Sequence, residues 1–348
     1  MYKPNYKITP IITKYIGVIS AAREAVLSSP LLPKIESRLK KEALISRSHH
    51  STSIEGNRLS KVQVAAIVSG QNITARPKDK KEVQNYISAL RFIDKYARHI
   101  KKMTPSSILK IHSLITDGVL PAKERGSFRD KMVYVVDGFG RTVFTPPKAH
   151  HVPELLRALC DWLNSTEAKD LYPVLSAGIA HYELVRIHPF IDGNGRVARA
   201  LATLSLYRQG FDIKDFFSLD DYYNEDRVSY YAALQSVDPS TIDITSWLEY
   251  FAEGVAKQME VIKDKLQALS RDRLLIEKQG QIWLNERQWR FLEFLREAKQ
   301  ASIKDYLLLS EGKKISERTA RMDIEFLADN KLIKRIGKGR ARRYQPNI

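Results

Sequence analysis

Apolar residues recur at every third or fourth position through much of this chain. Val152, Leu155, Leu156, Leu159, Trp162 and Leu163 form one such stripe, the buried face of an amphipathic helix. Pro153 stands near its start, where a missing N–H does no harm. The same period over residues 82–96, 106–115, 174–187 and 198–207 predicts further helices. Residues 131–144 break the pattern. Met132 to Val136 are β-formers, Asp137-Gly138-Phe139-Gly140 signals a turn, and Thr142, Val143 and Phe144 resume a strand before Pro146-Pro147 stops it. The expectation is a β-hairpin on a mainly α body, either a lid for something nearby or a plain connection.

Towards the C-terminus, residues 244–280 read as helix leading into a charged connector, and 285–299 and 303–309 as further helices. Ser316 offers an N-cap before residues 317–329, where Ala320, Ile324 and Leu327 form the inward stripe and Arg318, Thr319 and Arg321 lie outside. Residues 331–336, Gly337-Lys338-Gly339 and 340–345 then read as strand, turn, strand. Three helices followed by a basic hairpin is the layout of a small winged helix-turn-helix. Its third helix would enter the major groove and its wing would touch phosphates. Arg318, Arg321, Lys338 and Arg340 are the candidate DNA contacts; a protein-binding or dimerisation domain of the same shape is the alternative.

Charge sharpens that end of the chain. The 348 residues hold 57 Lys+Arg and 40 Asp+Glu, a net of +17, consistent with a basic soluble surface or with affinity for a polyanion. Residues 281–348 hold 16 Lys+Arg against 9 Asp+Glu, a net of +7, and 331–343 contain no acid. The length is enough for two or three domains. Cys160 alone cannot form an internal disulfide, so a stapled secreted fold is excluded and a reducing, cytoplasmic setting is expected. Nothing in the first twenty residues reads as a signal peptide, and no apolar run has membrane-spanning length. The adjacent pairs His49-His50 and His150-His151 do not have zinc spacing, so no zinc site is expected. Cys160 itself falls inside the 152–163 stripe, a small buried hydrophobe.

The most informative segment is His188-Pro189-Phe190-Ile191-Asp192-Gly193-Asn194-Gly195-Arg196-Val197-Ala198-Arg199. Pro189 ends the preceding helix and leaves His188 at a loop. Gly193 and Gly195 let successive N–H groups converge on an anion, and the next helix presents its N-terminus to the same point. Arg196 and Arg199, three apart, can both reach phosphate oxygens. Asp192 supplies a carboxylate suited to Mg²⁺, which binds through one or two carboxylates plus substrate phosphates. The parts converge on a metal-assisted phosphate cradle with a histidine at its rim.

This segment resembles the signature of the Fic-domain enzymes, His-Pro-Phe-x-(Asp/Glu)-Gly-Asn-Gly-Arg-x-x-Arg, and meets it at every fixed position. Glu82-Val83-Gln84-Asn85-Tyr86, His112, Gly126-Ser127-Phe128-Arg129 and the stretch 222–234 look like further landmarks, so the resemblance covers roughly residues 1–253. It implies a Fic-type helical bundle with a hairpin flap. The implied activity is transfer of AMP from ATP, with Mg²⁺, to a Ser, Thr or Tyr hydroxyl of a target protein and of the enzyme itself. His188 would take the hydroxyl proton and Asp192 would hold Mg²⁺. Gly193, Asn194, Gly195 and Arg196 would stabilise the developing charge, and Arg199 would bind the γ-phosphate. Tyr230 and Tyr231 would meet the adenosine, although core packing is their ordinary reading. Thr142, Val143 and Phe144 would align the target's backbone by strand addition.

Ser51-Thr52-Ser53-Ile54-Glu55-Gly56-Asn57 alone reads as a capped helix end, with Ser51 an N-cap, Gly56 a stop and Glu55 an exposed acid. It also resembles the family's inhibitory motif, (Ser/Thr)-x-x-x-Glu-(Gly/Asn), through Ser51, Glu55 and Gly56. Glu55 would then pair with Arg199 and deny it to ATP. The expected organisation is an N-terminal helical region 1–103 with the motif at 51–57, a catalytic core 104–253, a helical connector 254–280 and a winged helix at 281–348. A homodimer is compatible with this organisation. The alternatives are an ATP-sensing DNA-binding regulator, or a site that removes AMP or transfers another nucleotide; the filled His188 position favours catalysis.

Overall fold

The computed structural model describes residues 2–29, 33–99, 102–136, 138–278, 284–309, 315–337, 339 and 342–347, with side chains at all of these except 33, 34, 214, 270–278 and 297. The chain divides into two compact units, residues 1–267 and 268–348.

In the first unit the helices Pro173–Ile187 and Asn194–Arg208 form the centre, and both are buried around most of their circumference. That follows from their composition: small and aliphatic residues such as Ala177, Gly178, Ala180, Ala198, Ala200 and Ala202 leave room for neighbours on every side. Pro10–Ser28, Pro33–Ile54, Lys61–Val68, Pro77–His99, Pro105–Thr116 and Val152–Asn164 are helices of the surrounding shell, with Leu219–Glu225 and Arg227–Gln235 following the central pair. Several starts are written in the sequence. Ser60 with Gln63 and Thr104 with Ser107 form reciprocal capping boxes, and proline occupies the first turn of Pro105–Thr116, Val152–Asn164 and Pro173–Ile187. The predicted stripe on Val152–Asn164 is the buried one, and Cys160 lies within it, its thiol pushed up to about 12 by burial.

The start of the long Thr245–Lys278 helix closes on the central pair at Gly178. A Cβ there would meet Leu248 Cδ2 at 2.9 Å and Phe251 at 3.1 Å, so only glycine allows this approach. Trp247 Nε1 donates to the Gly178 carbonyl at 2.8 Å and seals the contact.

The hairpin is present but shorter than its run of β-formers. Val135–Val136 pairs antiparallel with Thr142–Phe144, and the register is irregular between the first two residues. Asp137, in the predicted turn, lies outside the described residues.

The second unit contains the helices Glu286–Ala298, Ile303–Leu309 and Glu317–Asp329 and the antiparallel strands Ile333–Ile336 and Arg343–Pro346. Phe291, Leu295, Ala320, Ile324, Leu327 and Tyr344 make its core. Asp323 is buried among Asn285 Nδ2 (2.8 Å), Arg287 Nε (2.8 Å) and Tyr306 Oη (2.7 Å), which ties the third helix to the other two. Ser316 caps the third helix as expected, and Arg318 and Arg321 are exposed on it. Lys338 and Arg340 lie outside the described residues. Among the described residues, no helix is long and apolar enough to cross a membrane.

Candidate active site

His188 terminates the Pro173–Ile187 helix in the left-handed conformation, φ +50°, a rare state for a side chain with a Cβ. The strain is held by partners. Its N–H donates to Leu184 O at 2.9 Å, and Arg129 Nε donates to the His188 carbonyl at 2.8 Å. The Arg129 N–H also donates to Pro189 O at 2.9 Å. Its guanidinium reaches Lys131 O and Pro147 O as well, so one arginine fixes both the histidine corner and the base of the hairpin.

The His188 ring has one defined hydrogen bond, Nδ1 to the Val185 carbonyl at 3.2 Å. A carbonyl only accepts, so Nδ1 carries the proton and Nε2 is the basic nitrogen. Burial holds the His188 pKa below the ordinary imidazole value, aided by the Arg129 charge, while the Val185 bond and the carboxylates of Glu55 and Asp192 oppose the shift. At neutral pH this is a neutral imidazole.

The loop behind it is braced from inside. Asn194 donates to Phe190 O at 2.9 Å and accepts from Phe190 N–H at 3.0 Å, closing the turn on itself. The Asn194 side chain is therefore spent within the loop rather than turned to a ligand. Below the loop, His112 stacks on Phe190 at 3.7 Å. Its Nδ1 accepts from the Gly126 N–H at 2.9 Å, so Nε2–H donates to the Asp192 carbonyl at 3.1 Å. Burial lowers the His112 pKa to about 4, which preserves that tautomer. Gly193 has φ +85°, a conformation open to glycine, at the start of the Asn194–Arg208 helix.

Arg196 is nearly buried, its guanidinium between Glu82 Oε1 at 3.7 Å and Asp192 Oδ1 at 3.4 Å. The Asp192 carboxylate is about half exposed, with a side-chain accessibility of 51%. One accessible carboxylate beside the glycine loop is a donor that Mg²⁺ accepts when phosphates complete its coordination. Among the described residues, no group of three His, Cys, Asp or Glu side chains could hold a metal without a substrate.

Arg199 is fully buried and has partners on two sides. Nη2 donates to Glu55 Oε1 at 2.7 Å and to Ser51 O at 2.9 Å, and Nε donates to Ser51 Oγ at 2.8 Å. Asp220 Oδ1 lies 3.2 Å from the same Nε. Ser51 is not an N-cap. It sits in the last turn of the Pro33–Ile54 helix, completely buried, and Gly56 ends that helix with φ +89°. The helix end is fastened elsewhere too: Ser46 Oγ and His50 Nδ1 bond Asp221 at 2.7 Å each, and Arg227 donates to Ser53 Oγ at 2.9 Å. Past the helix, Asn57 Nδ2 donates to Glu82 Oε2 and to Asp79 O, 2.9 Å each.

Glu55 lies directly over the glycine loop. A Cβ built on Gly195 would collide with Glu55 Oε1 and come within 3.2 Å of Arg199 Nη1. The carboxylate thus occupies the space directly in front of the backbone at Gly195.

Tyr230 is buried against Tyr223, ring centroids 4.4 Å apart, with its hydroxyl on His181 Nε2 at 3.2 Å. His181 is itself fully buried and stacks on Trp247. Tyr231, 43% exposed, is the accessible member of the pair. The sequence pattern missed Asp220 and the links through Glu82, Asn57 and Arg129. Only Glu82, Asn57 and Arg129 had a signal, since each falls in a segment already singled out.

Comparison with known proteins agrees with this geometry. Residues 102–206 match the Fic/DOC family. The chain is 37% identical to the protein adenylyltransferase fic-1 of Caenorhabditis elegans over 178 residues, 50% of this chain and 34% of that protein. It is 31% identical to the protein adenylyltransferase Fic of Nematostella vectensis over 226 residues, 62% of this chain and 50% of that protein. The chain thus spans about a third to a half of the length of these curated relatives. A Fic family protein from Desulfovibrio desulfuricans G20 has the same fold, with TM-score 0.67, 24% identity and coverage of 99% of this chain and 98% of that one. C. elegans Fic-1 (residues 134–508) superposes with TM-score 0.61 at 29% identity, covering 76% of this chain and 74% of that one. Residues 102–206 thus match the Fic/DOC family, and the chain is similar over about half its length to proteins named protein adenylyltransferases.

Proposed function

We propose that this protein transfers AMP from ATP to a hydroxyl side chain of a target protein and is restrained by its own Glu55. The observation that carries the reading is the neutral His188, with Nδ1 committed to Val185 O and Nε2 basic, at the rim of the Gly193–Gly195 loop. In the proposed reaction the hydroxyl oxygen attacks the α-phosphorus, its proton passes to His188 Nε2, and the bond to the departing pyrophosphate breaks. Backbone N–H groups at the start of the Asn194–Arg208 helix and the Arg196 guanidinium face the charge that develops. Arg199 would take the γ-phosphate once Glu55 withdraws. Asp192 would hold Mg²⁺, whose role is to neutralise phosphate charge. Tyr231 supports an adenosine contact by its exposure, and Tyr230 would act from behind it. The strand Thr142–Phe144 supports backbone pairing with a target, since Thr142 and Val143 are exposed.

The C-terminal unit supports a winged-helix reading. Arg318 and Arg321 stand exposed on its third helix, and Lys334 and Arg335 on the adjoining strand, a pattern suited to a phosphate backbone. Arg321 also pairs with Glu317 at 2.5 Å, so DNA would have to displace that bond.

Incubating the Glu55→Gly protein with MgCl₂ and ATP and mapping the products by peptide mass spectrometry tests the transfer. One AMP adduct on a hydroxyl side chain, absent from Glu55→Gly/His188→Ala, is the expected result. An adduct that survives loss of His188 would overturn its assignment as base.

A further inference from the structure

Arg199 is shared by two carboxylates that differ in where they are anchored. Glu55 follows directly on the Pro33–Ile54 helix, and so does the other pair of contacts, because Ser51 Oγ and Ser51 O belong to the last turn of that helix. If the segment withdraws, three of the hydrogen bonds to the guanidinium leave together. Asp220 belongs to a different helix, one held through its neighbour Asp221 to Ser46 and His50, which precede the turn that carries Ser51 and Glu55. It sits on Leu219–Glu225, which follows the central helices in the chain, buried to 3% exposure with Oδ1 3.2 Å from Arg199 Nε.

Charge balance leads to the same residue. Arg47 is also buried here, its Nη1 on Tyr207 Oη at 2.8 Å, and Asp220 interacts electrostatically with both arginines. With Glu55 in place, Arg47 and Arg199 face Asp220 and Glu55, two charges of each sign. With Glu55 gone, Arg199 loses one of its two carboxylates, and a phosphate oxygen can take that place. Without Asp220 as well, a buried guanidinium would have no anionic partner to orient it, a state that costs far more than a surface charge does.

We infer that Asp220 is a positioning residue: it keeps Arg199 aimed at the triphosphate site when Glu55 and Ser51 withdraw, and so gives the released site its preference for a nucleotide with a γ-phosphate. This rests on the reading of Arg199 as the γ-phosphate ligand. In this role Asp220 meets no nucleotide itself and acts through the Nε edge of Arg199.

Equilibrium binding of ATP and ADP to the full chain tests this in a Glu55→Gly/His188→Ala background, where no transfer consumes the nucleotide. ADP, which lacks the γ-phosphate, is the internal control for an intact pocket. Adding Asp220→Asn should weaken ATP by roughly tenfold, the loss of one charge-assisted contact, while ADP changes less than about twofold. Asp220→Glu keeps the charge and should retain most of the ATP preference. A packing role predicts the reverse order, because Asn is nearly isosteric and Glu is larger. ATP and ADP weakened equally by Asp220→Asn, or ATP preference intact in it, would overturn the inference. A background protein that binds ATP no better than ADP would overturn the γ-phosphate reading of Arg199, and the role of Asp220 with it.

Discussion

Glu55 and Arg199 stand 144 residues apart in the chain and meet at 2.7 Å, carboxylate to guanidinium, above the glycine loop. Arg199 is buried while the Glu55 carboxylate stays partly open to solvent, and under the proposed function that carboxylate stands where a phosphate would bind. Replacing Glu55 by glycine should raise transfer activity by roughly 5- to 150-fold, the span of a coupling worth about 1–3 kcal/mol. Initial rates of AMP incorporation for parent and Glu55→Gly check this, and equal rates would show that the contact does not restrain the site.

Gly195 should be most sensitive to substitution while Glu55 is present. An added Cβ meets Glu55 Oε1, so Gly195→Ala should destabilise the parent by about 1–3 kcal/mol, as overpacking does. In the Glu55→Gly protein most of that loss should disappear. Thermal unfolding of the four proteins in a double-mutant cycle measures the coupling; additive effects would place Glu55 elsewhere.

Asn57 provides a second fastening for the same segment. It donates to Glu82 Oε2 and Asp79 O and accepts from the Leu59 N–H at 3.1 Å. Asn57→Ala should therefore loosen the segment and raise transfer in the parent, with little effect once Glu55 is already glycine. Glu82 also faces Arg196, so the variant's effect should fall on nucleotide affinity as well as on rate.

The pH dependence follows from His188. Burial lowers its pKa, so the neutral base persists to lower pH than an ordinary imidazole would, and protonation abolishes it only below that range. The acid limb of a plot of rate against pH for Glu55→Gly should have its midpoint below about 6.5, the ordinary histidine value. A midpoint above 6.5 would contradict a buried, Arg129-flanked base.

Much of this architecture was legible from residue order, and the reasons differ by element. Helices such as Val152–Asn164 and Glu317–Asp329 were readable because one face is apolar at a regular period and the ends carry proline or serine caps. The His188–Arg199 constellation was readable because its chemistry is local, with every part inside one turn between two helices. Read alone, Ser51 suits an N-cap because nothing in its neighbours reveals that the helix begins at Pro33, eighteen residues earlier. That the Asn194 side-chain amide closes the loop on Phe190, leaving its backbone N–H for the expected cradle, is a detail that only coordinates supply. Asp220 had no local signal at all. An acidic residue at a helix start is commonplace, and its meaning comes from Arg199, which only the fold brings to it.

One experiment tests His188 as the base of AMP transfer and Glu55 as its restraint together. The most direct measurement incubates Glu55→Gly and Glu55→Gly/His188→Ala with MgCl₂ and ATP labelled either at the α- or at the γ-phosphate. Protein labelled from α-labelled but not γ-labelled ATP, and only when His188 is present, is the predicted result. Label arriving from the γ-phosphate, or label that does not depend on His188, would contradict the account.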